Sequence, residues 1–498
     1  MNLRILLNNK EAVLDDDTEI TLNYQNYLLD HEREDASYPL TLNLTANRHI
    51  FGFKDRINCP NVTRNYTASV YFGPYCIITG RAVVTDIENN NIELYIATDQ
   101  YSFWADIKNT YLDYVSLGQE TYNTHADLLT DFLDSLYSQR DFVACPLVSS
   151  ASLRAGWYNY LLEGESGLYF PTGHANVRYI PFLRLSALIR RVFAYLGYSV
   201  SYAPILEEKG FRDILVINIR SSLTGDDRSF YWSDFVPHIT VYDFLMEIER
   251  KFGVVFWVSQ SAKTVNIYSL SGEHEVYSLA VQDGVTKHLL DEEEQQKYAR
   301  GIKFKDKEIE DLNITEYKDL LEYSYGTGDD MENVDCISTI VGIKTDFISE
   351  AIGQPENHCV KVAALHYPET NPEKLNEQLS TELRFTVYRG ICQPPGNDPY
   401  PFVAYPLASP VGFSYTESQY SLLWDYLFDH YHYQLFNMRI HFREEHGFTA
   451  LALIRDLKNI YTLFESNLVI RNRKYLCSEQ QITLSPDTIK EYTIKCLT

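Results

Sequence analysis

Two stretches of the chain carry the same order of apolar and polar positions. "RLSALIRRVFAYLGYSVSY" runs from Arg184 to Tyr202, and "TVYDFLMEIERKFGVVFWV" runs from Thr240 to Val258. Aligned, they place Leu185 on Val241, Leu188 on Phe244, Ile189 on Leu245, Val192 on Ile248 and Leu196 on Phe252, with Gly197 on Gly253. The spacing i, i+3, i+4, i+7, i+11 is one face of an amphipathic helix. A glycine just past the last apolar position predicts a left-handed helix stop. After each glycine the pattern alternates with period two, so each copy predicts a helix followed by a strand pair. The strand pairs are "YSVSY…DILVINI" in the first copy and "VVFWVSQSAKTVNIYSL" in the second, whose hairpin turns at Ser259 to Lys263. A helix on a two-stranded ribbon cannot hide its apolar face alone, whereas two such units packed together can.

Around this duplication, at 177–275, the chain reads mainly as strands. Residues 1–114 alternate with period two between turn signals at "NNKEAVLDDD", Gly73-Pro74 and Glu88 to Asn91, which predicts an antiparallel, barrel-like β domain. Residues 115–176 hold one short helix, His125 to Gln139, with Leu128, Leu129, Phe132, Leu133 and Leu136 on one side. The rest of that segment is aromatic, Gly-punctuated and irregular. Residues 276–336 form a charged connecting segment with short strands, read as solvated loops and edge strands. Residues 337–498 predict a second barrel-like β domain, interrupted by Pro-rich "CQPPGNDPYPFVAYPLASP" and one helix at about 417–431. The fold class expected is mainly β, with an α+β middle module between two barrel-type domains.

Composition sharpens the picture. The 498 residues allow roughly two to four domains, and 45% hydrophobic with 22% charged content is ordinary for a folded protein. The anomaly is 39 Tyr against 4 Met and 23 Gly. Tyr favours strands and interfaces, where its ring is buried and its hydroxyl stays wet. With 68 acidic and 43 basic residues the net charge is −25, which gives no general reason to bind nucleic acid or anionic membranes. Cys59, Cys76, Cys145, Cys336, Cys359, Cys392, Cys477 and Cys496 are scattered without a C-x-x-C pair, which predicts reduced and mostly buried thiols. The opening "MNLRILLNNKEAVLDDD" is too short and polar for a signal peptide, and no window approaches the roughly 20 apolar residues of a membrane span.

The chemistry-bearing motifs are sparse. There is no G-x-x-x-x-G-K-[ST], no G-x-G-x-x-G after a strand, no H-E-x-x-H and no G-x-S-x-G. The best metal-ligating group is His430, His432, His441 and His446 with Glu444 and Glu445. However, residues two apart at a helix end do not share a face, so exposed helix-end and turn histidines are the expectation. Gly326 to Asp330, "GTGDD", lacks a following Lys and the EF-hand ligand spacing, and reads as a turn. Carboxylate pairs suited to glycoside cleavage have many possible members among 68 acids, and the sequence singles out none. No catalytic residue, metal or cofactor is expected.

The organisation as a whole resembles a known family. The "LNNKEAVL" hairpin and "YPLTLNLTANRHIFGF" open it, the "PFLRLSALIRRVFAYLGYSV" and "VYDFLMEIERKFGVVFWVSQSAKTVNIYSL" units follow, and "LVIRNRKYLCSEQQITLSPDTIKEYTIKCL" closes it. This pattern resembles large tail proteins of phages and prophages of Bacteroides-type bacteria. It is similar, more distantly, to baseplate hub proteins of contractile-tailed phages and phage-like injection systems. The resemblance implies two tail-tube-like barrels per subunit, a trimer forming a pseudo-sixfold ring, and tail tube, spike and other baseplate proteins as partners. It also implies no catalytic residues and a place in the virion tail after synthesis in the host cytoplasm. Two other classes remain open: a receptor- or carbohydrate-binding tail protein using aromatic platforms such as Trp104, Trp157, Trp232, Trp257 and Trp424, and a cell-wall hydrolase.

Overall fold

The computed structural model describes residues 2–25, 37–54, 56, 64–149, 151, 156–164, 167–171, 178–260, 262–269, 276–278, 286–289, 301–307, 322–326, 331–340, 342–344, 362–365, 367, 369–392, 400–404, 424–433, 446–451, 467–470 and 473–497. The protein is mainly β with a minority of short helices. The first 98 residues build a six-stranded antiparallel sheet. Its order is Lys10–Glu11, Leu3–Leu7, Asn65–Phe72, Tyr75–Glu88, Asn91–Thr98 and Ser37–Asn43. The turns are local and chemically specified. Asn8 and Asn9, and again Asn89 and Asn90, both take positive φ between paired strands. That is the two-residue geometry whose twist matches a hairpin, and Asn tolerates it. Register shifts at Val70/Tyr71 and Val84/Asp86 insert bulges that bend this sheet.

The second large sheet is built around strands from the other end of the chain. It runs Val276–Ser278, Asn467–Ile470, Arg473–Leu484, Ile489–Leu497, His446–Leu451 and Thr286–Leu289, with Ile20–Gln25 also paired to Arg473–Leu484. Ile20 lies opposite Leu484 and Gln25 opposite Glu479. Inward side chains of both sheets, among them Ile5, Leu22, Val70, Ile92, Ile482, Leu484 and Ile494, form one hydrophobic core. Segments assigned by pattern to two separate barrels thus contribute strands to a common core.

A second core is centred on the repeated helices. Leu185–Tyr195 and Val241–Phe252 are both helical. Leu185, Leu188, Ile189 and Val192 in the first, and Val241, Phe244, Leu245, Ile248 and Phe252 in the second, are fully buried. Burying each such side chain contributes about 1.5–3 kcal/mol. Both helices stop on a left-handed glycine, Gly197 at φ +81 and Gly253 at φ +52. At the first, the Tyr198 N–H donates to the Phe193 carbonyl at 2.8 Å and the Gly197 N–H to that of Ala194 at 3.1 Å, a Schellman cap.

The copies diverge in their strands. Val254–Ser259 and Thr264–Ser269 form the hairpin expected of the second copy. In the first copy, Ser199–Tyr202 instead joins that hairpin as a parallel edge strand. Ile214–Ile217 leaves to pair with Leu383–Cys392. All four Ile214–Ile217 side chains are buried, so this strand needs cover on both faces, which an exposed ribbon does not supply.

Two helices fall where the sequence pattern gave strands and turns, and the helix expected at about 417–431 is present in its described part. Asp99–Ile107 is a helix inside the region read as strands and turns, capped by the Thr98 hydroxyl accepting from the Tyr101 N–H. Pro372–Thr381 is a helix with Asn371 as its cap. Trp424–Leu427 is α-helical and widens into a π turn over Phe428–His432, while 417–423 lies outside the described residues.

The two helix stops should respond differently to alanine. A Cβ at Gly197 meets open space, whereas one at Gly253 would sit 2.5 Å from the Tyr431 carbonyl oxygen. Gly197→Ala should cost about 1–2 kcal/mol for the left-handed backbone alone. Gly253→Ala should cost about 3 kcal/mol or more, because the clash adds to the backbone strain. Thermal midpoints of the two variants beside the parent check the order.

Candidate functional site

Two polar constellations bring together residues far apart in the chain. The first is buried. On the Val241–Phe252 helix, Glu247 and Lys251 are one turn apart and both are 0% exposed. Lys251 Nζ donates to Asp306 Oδ1 at 2.8 Å and to Ser338 Oγ at 3.1 Å. Glu247 accepts from the Ile337 N–H at 2.9 Å, the Ser338 N–H at 3.1 Å and the Ser338 hydroxyl. Asp306 belongs to the charged segment expected to be solvated, yet it is 2% exposed. A buried ammonium needs a carboxylate there to offset its desolvation.

Burial pulls the Lys251 ammonium down, but the nearby Asp306 and Glu247 carboxylates carry it above its ordinary value. Desolvation raises Glu247, opposed by Lys251, the Ser338 hydroxyl and the Ile337 N–H. Burial also pushes the neighbouring Cys336 thiol well up, which keeps it protonated and poorly nucleophilic. This cluster is sealed from solvent, and its physical role is to lock the helix onto the strands at 301–305 and 338–340.

The second constellation reaches the surface. The short turn Leu112–Tyr114 is tied to the N-terminus of the Val241–Phe252 helix: the Leu112 N–H donates to the Ile239 carbonyl at 2.8 Å, and the Val241 N–H to that of Thr110 at 2.7 Å. This places Asp113 beneath His238. The Asp113 carboxylate, 3% exposed, accepts from His238 Nδ1 at 2.9 and 3.0 Å and is ion-paired with Arg220. Arg220 is itself held by its N–H donating to Asn218 Oδ1 at 3.0 Å, and the His238 N–H donates to the Ser380 carbonyl at 2.7 Å.

The Tyr111 ring stacks on the imidazole at 4.4 Å and 6°, and Tyr114 meets its edge at 5.5 Å. Tyr114 is 73% exposed. Lys108 Nζ lies 5.5 Å from the Tyr242 ring. An Asp-oriented histidine is what general-base chemistry requires. Among the described residues, however, no Ser, Thr or Cys is hydrogen-bonded to His238 Nε2. What the cluster presents is a rigid surface of two phenols and an imidazole over the buried Asp113–Arg220 ion pair. No sequence motif announces it, because its members lie on segments 125 residues apart.

The candidates drawn from the sequence do not converge. His430 faces Glu208 at 3.7 Å and stacks on Tyr426, whereas His432 is buried with Nε2 3.2 Å from the Lys251 carbonyl oxygen. His441, Glu444 and Glu445 lie outside the described residues, and His446 begins the strand His446–Leu451. Among the described residues, no three His, Cys, Asp or Glu are grouped to hold a metal. Gly326 ends the strand Glu322–Gly326, and 327–330 is outside the described residues. Trp104 and Trp232 are buried in the core, and Trp157 and Trp257 are half-buried. The Trp424 side chain is outside the described part. Cys145, Cys336 and Cys477 are buried free thiols and Cys76 is an exposed one. No helix is long and apolar enough to cross a membrane among the described residues.

Solved structures similar to this chain include two tail proteins. One is the 43 kDa tail protein of prophage MuSo2 from Shewanella oneidensis, 8% identical, with 100% of this chain and 98% of that one covered at a TM-score of 0.33. The other is the tail protein from Neisseria meningitidis MC58, 7% identical, covering 100% and 96% at a TM-score of 0.32. No protein-family model and no curated protein matches the sequence.

The buried cluster yields a stability prediction. Lys251→Met leaves Asp306 and Glu247 buried without their cation and should cost about 3–5 kcal/mol. Glu247 binds its proton more tightly folded than unfolded. Its contribution is therefore fully present below the ordinary value of 4.5 and is lost as pH rises through the raised folded value. The thermal midpoint should fall over that window in the parent, and the fall should be reduced in Glu247→Gln, as followed by circular dichroism across a pH series.

Proposed function

We propose that this chain is a non-enzymatic structural component of a phage tail or phage-like particle, most specifically the hub that joins the tail tube to the spike. The observation that carries the reading is the architecture. Largely antiparallel sheets built mostly from both ends of the chain share one core, with helix–strand units inserted between them. The resemblance implies two separate barrels; here the strands of both ends share one core instead, and the reading keeps only the ring-building β framework decorated by smaller modules. In this reading the strands within 2–98 and 446–497 build the ring, and the units within 177–275 decorate it. The net charge of −25 fits a lining past which nucleic acid moves without sticking. Several of the abundant tyrosines are exposed, including Tyr114, Tyr137, Tyr195, Tyr202 and Tyr231, as suits a protein with several neighbours.

The test is the native mass in solution by light scattering over a concentration series, followed by imaging of any assembly. A particle three or six times the 57.7 kDa of the chain, seen as a threefold or sixfold ring, is the expected result. A monomer at every concentration that instead retains host-surface glycans would overturn it in favour of a carbohydrate-binding role.

A further inference from the structure

We infer that Lys251 and Asp306 are the reactants of an intramolecular cross-link: Lys251 Nζ condenses with the Asp306 carboxyl to form an isopeptide amide, with Glu247 carrying the proton through the Ser338 hydroxyl. The inference stands on this buried site alone and does not depend on the tail reading. Lys251 Nζ and Asp306 Oδ1 are 2.8 Å apart, and their side chains are 0% and 1% exposed. A nitrogen hydrogen-bonded to a carboxylate oxygen sits close to the carboxyl carbon. Reacting groups held about 3–3.5 Å apart gain effective molarities of about 10⁵ M or more. The surroundings are dry and aromatic: Phe252, Phe304 and Phe385 belong to the same core, and Lys251 Nζ lies 5.8 Å from the Phe385 ring. Lys303 and Lys305 also reach a carboxylate, that of Glu322, but more than a third of each side chain is exposed there, so water competes.

A proton route is built in. Lys251 Nζ donates to Ser338 Oγ at 3.1 Å, and Ser338 Oγ donates to Glu247 Oε1. The carboxylates hold the Lys251 ammonium above its ordinary value, so the free amine arises by proton transfer within the cluster. Burial raises Glu247, which suits it to accept that proton and return it. The amine lone pair then forms a bond to Asp306 Cγ, and a Cγ–O bond breaks. Of the three ammonium protons, two leave with that oxygen as water and one stays on the amide nitrogen, while Glu247 ends as it began. No oxidant or reductant is needed. The product replaces a buried ion pair by a neutral amide, which removes the desolvation cost of both charges. It also ties the helix to a strand segment 55 residues further along the chain.

The experiment is mass spectrometry of the full chain under denaturing conditions, followed in time after cell-free synthesis and completed by peptide mapping. The parent should become lighter than its sequence by one water, and a digest should yield a single joined peptide carrying Lys251 and Asp306. Glu247→Gln keeps an oxygen that accepts from Ser338 but cannot take up the proton, and should link about a hundredfold more slowly or worse. Ser338→Ala should be slowed too, and Ser338→Thr, which keeps the hydroxyl, should recover linkage. Circular dichroism verifies that each variant is folded. A folded parent that keeps its full mass overturns the cross-link, and so does a loss of water without a joined peptide, as an aspartyl succinimide would give. A folded Glu247→Gln that links as fast as the parent overturns the role given to Glu247.

Discussion

Two strands at opposite ends of the chain, Ile20–Gln25 and Arg473–Leu484, share one hydrogen-bonded ladder, and the architecture depends on that pairing. It brings Ile20, Leu22 and Tyr24 into the same core as Cys477, Ile482 and Leu484. The entropic cost of closing so long a loop grows only slowly with its length. The pairing therefore has to be repaid mainly by the apolar surface that the two sheets bury together. Everything between the ends is obliged to return to its starting point, so the helix–strand units form an insertion in a β framework rather than an appended domain.

The insertion is organised by its own constraint, the burial of charge. A helix with a continuous apolar face, Val241–Phe252, also places Glu247 and Lys251 inside the protein. Unpaired, either would be among the most costly groups in the fold. Asp306 and Ser338 satisfy them, and they come from segments that follow the repeat by tens of residues. The ionic junction thus fixes which strands lie against the helix, a form of specificity that apolar contacts alone supply poorly.

The same helix sets the surface chemistry at its other end. Its N-terminal approach, from His238 to Val241, is pinned to the Tyr111–Tyr114 turn. Asp113 is buried by that pinning and holds both His238 and Arg220. One element therefore carries a sealed ionic cluster at its C-terminal half and presents an exposed aromatic surface over a buried ion pair at its start. Rigidity at the surface is a consequence of packing beneath it.

Much of the local structure was legible in the residues. The repeat of Leu185, Leu188, Ile189 and Val192 at Val241, Phe244, Leu245 and Ile248 specified two buried helix faces, and Gly197 and Gly253 specified where each stops. Adjacent asparagines specified tight turns at Asn8–Asn9 and Asn89–Asn90. These features depend on contacts within a few residues, so periodicity and backbone preference suffice. The helix at Pro372–Thr381 escaped because only Leu375 and Leu379 mark its apolar face, and that at Asp99–Ile107 because it is too short to set helical period apart from the strands around it. Only the tertiary structure decided that Ile214–Ile217 pairs with Leu383–Cys392, that Asp306 goes inside, and that Asp113 meets His238. A strand's alternation states which face is apolar but not which partner covers it, and a carboxylate's identity does not state whether a cation waits for it. Those outcomes are settled by which distant surfaces bury each other, a property of the whole chain.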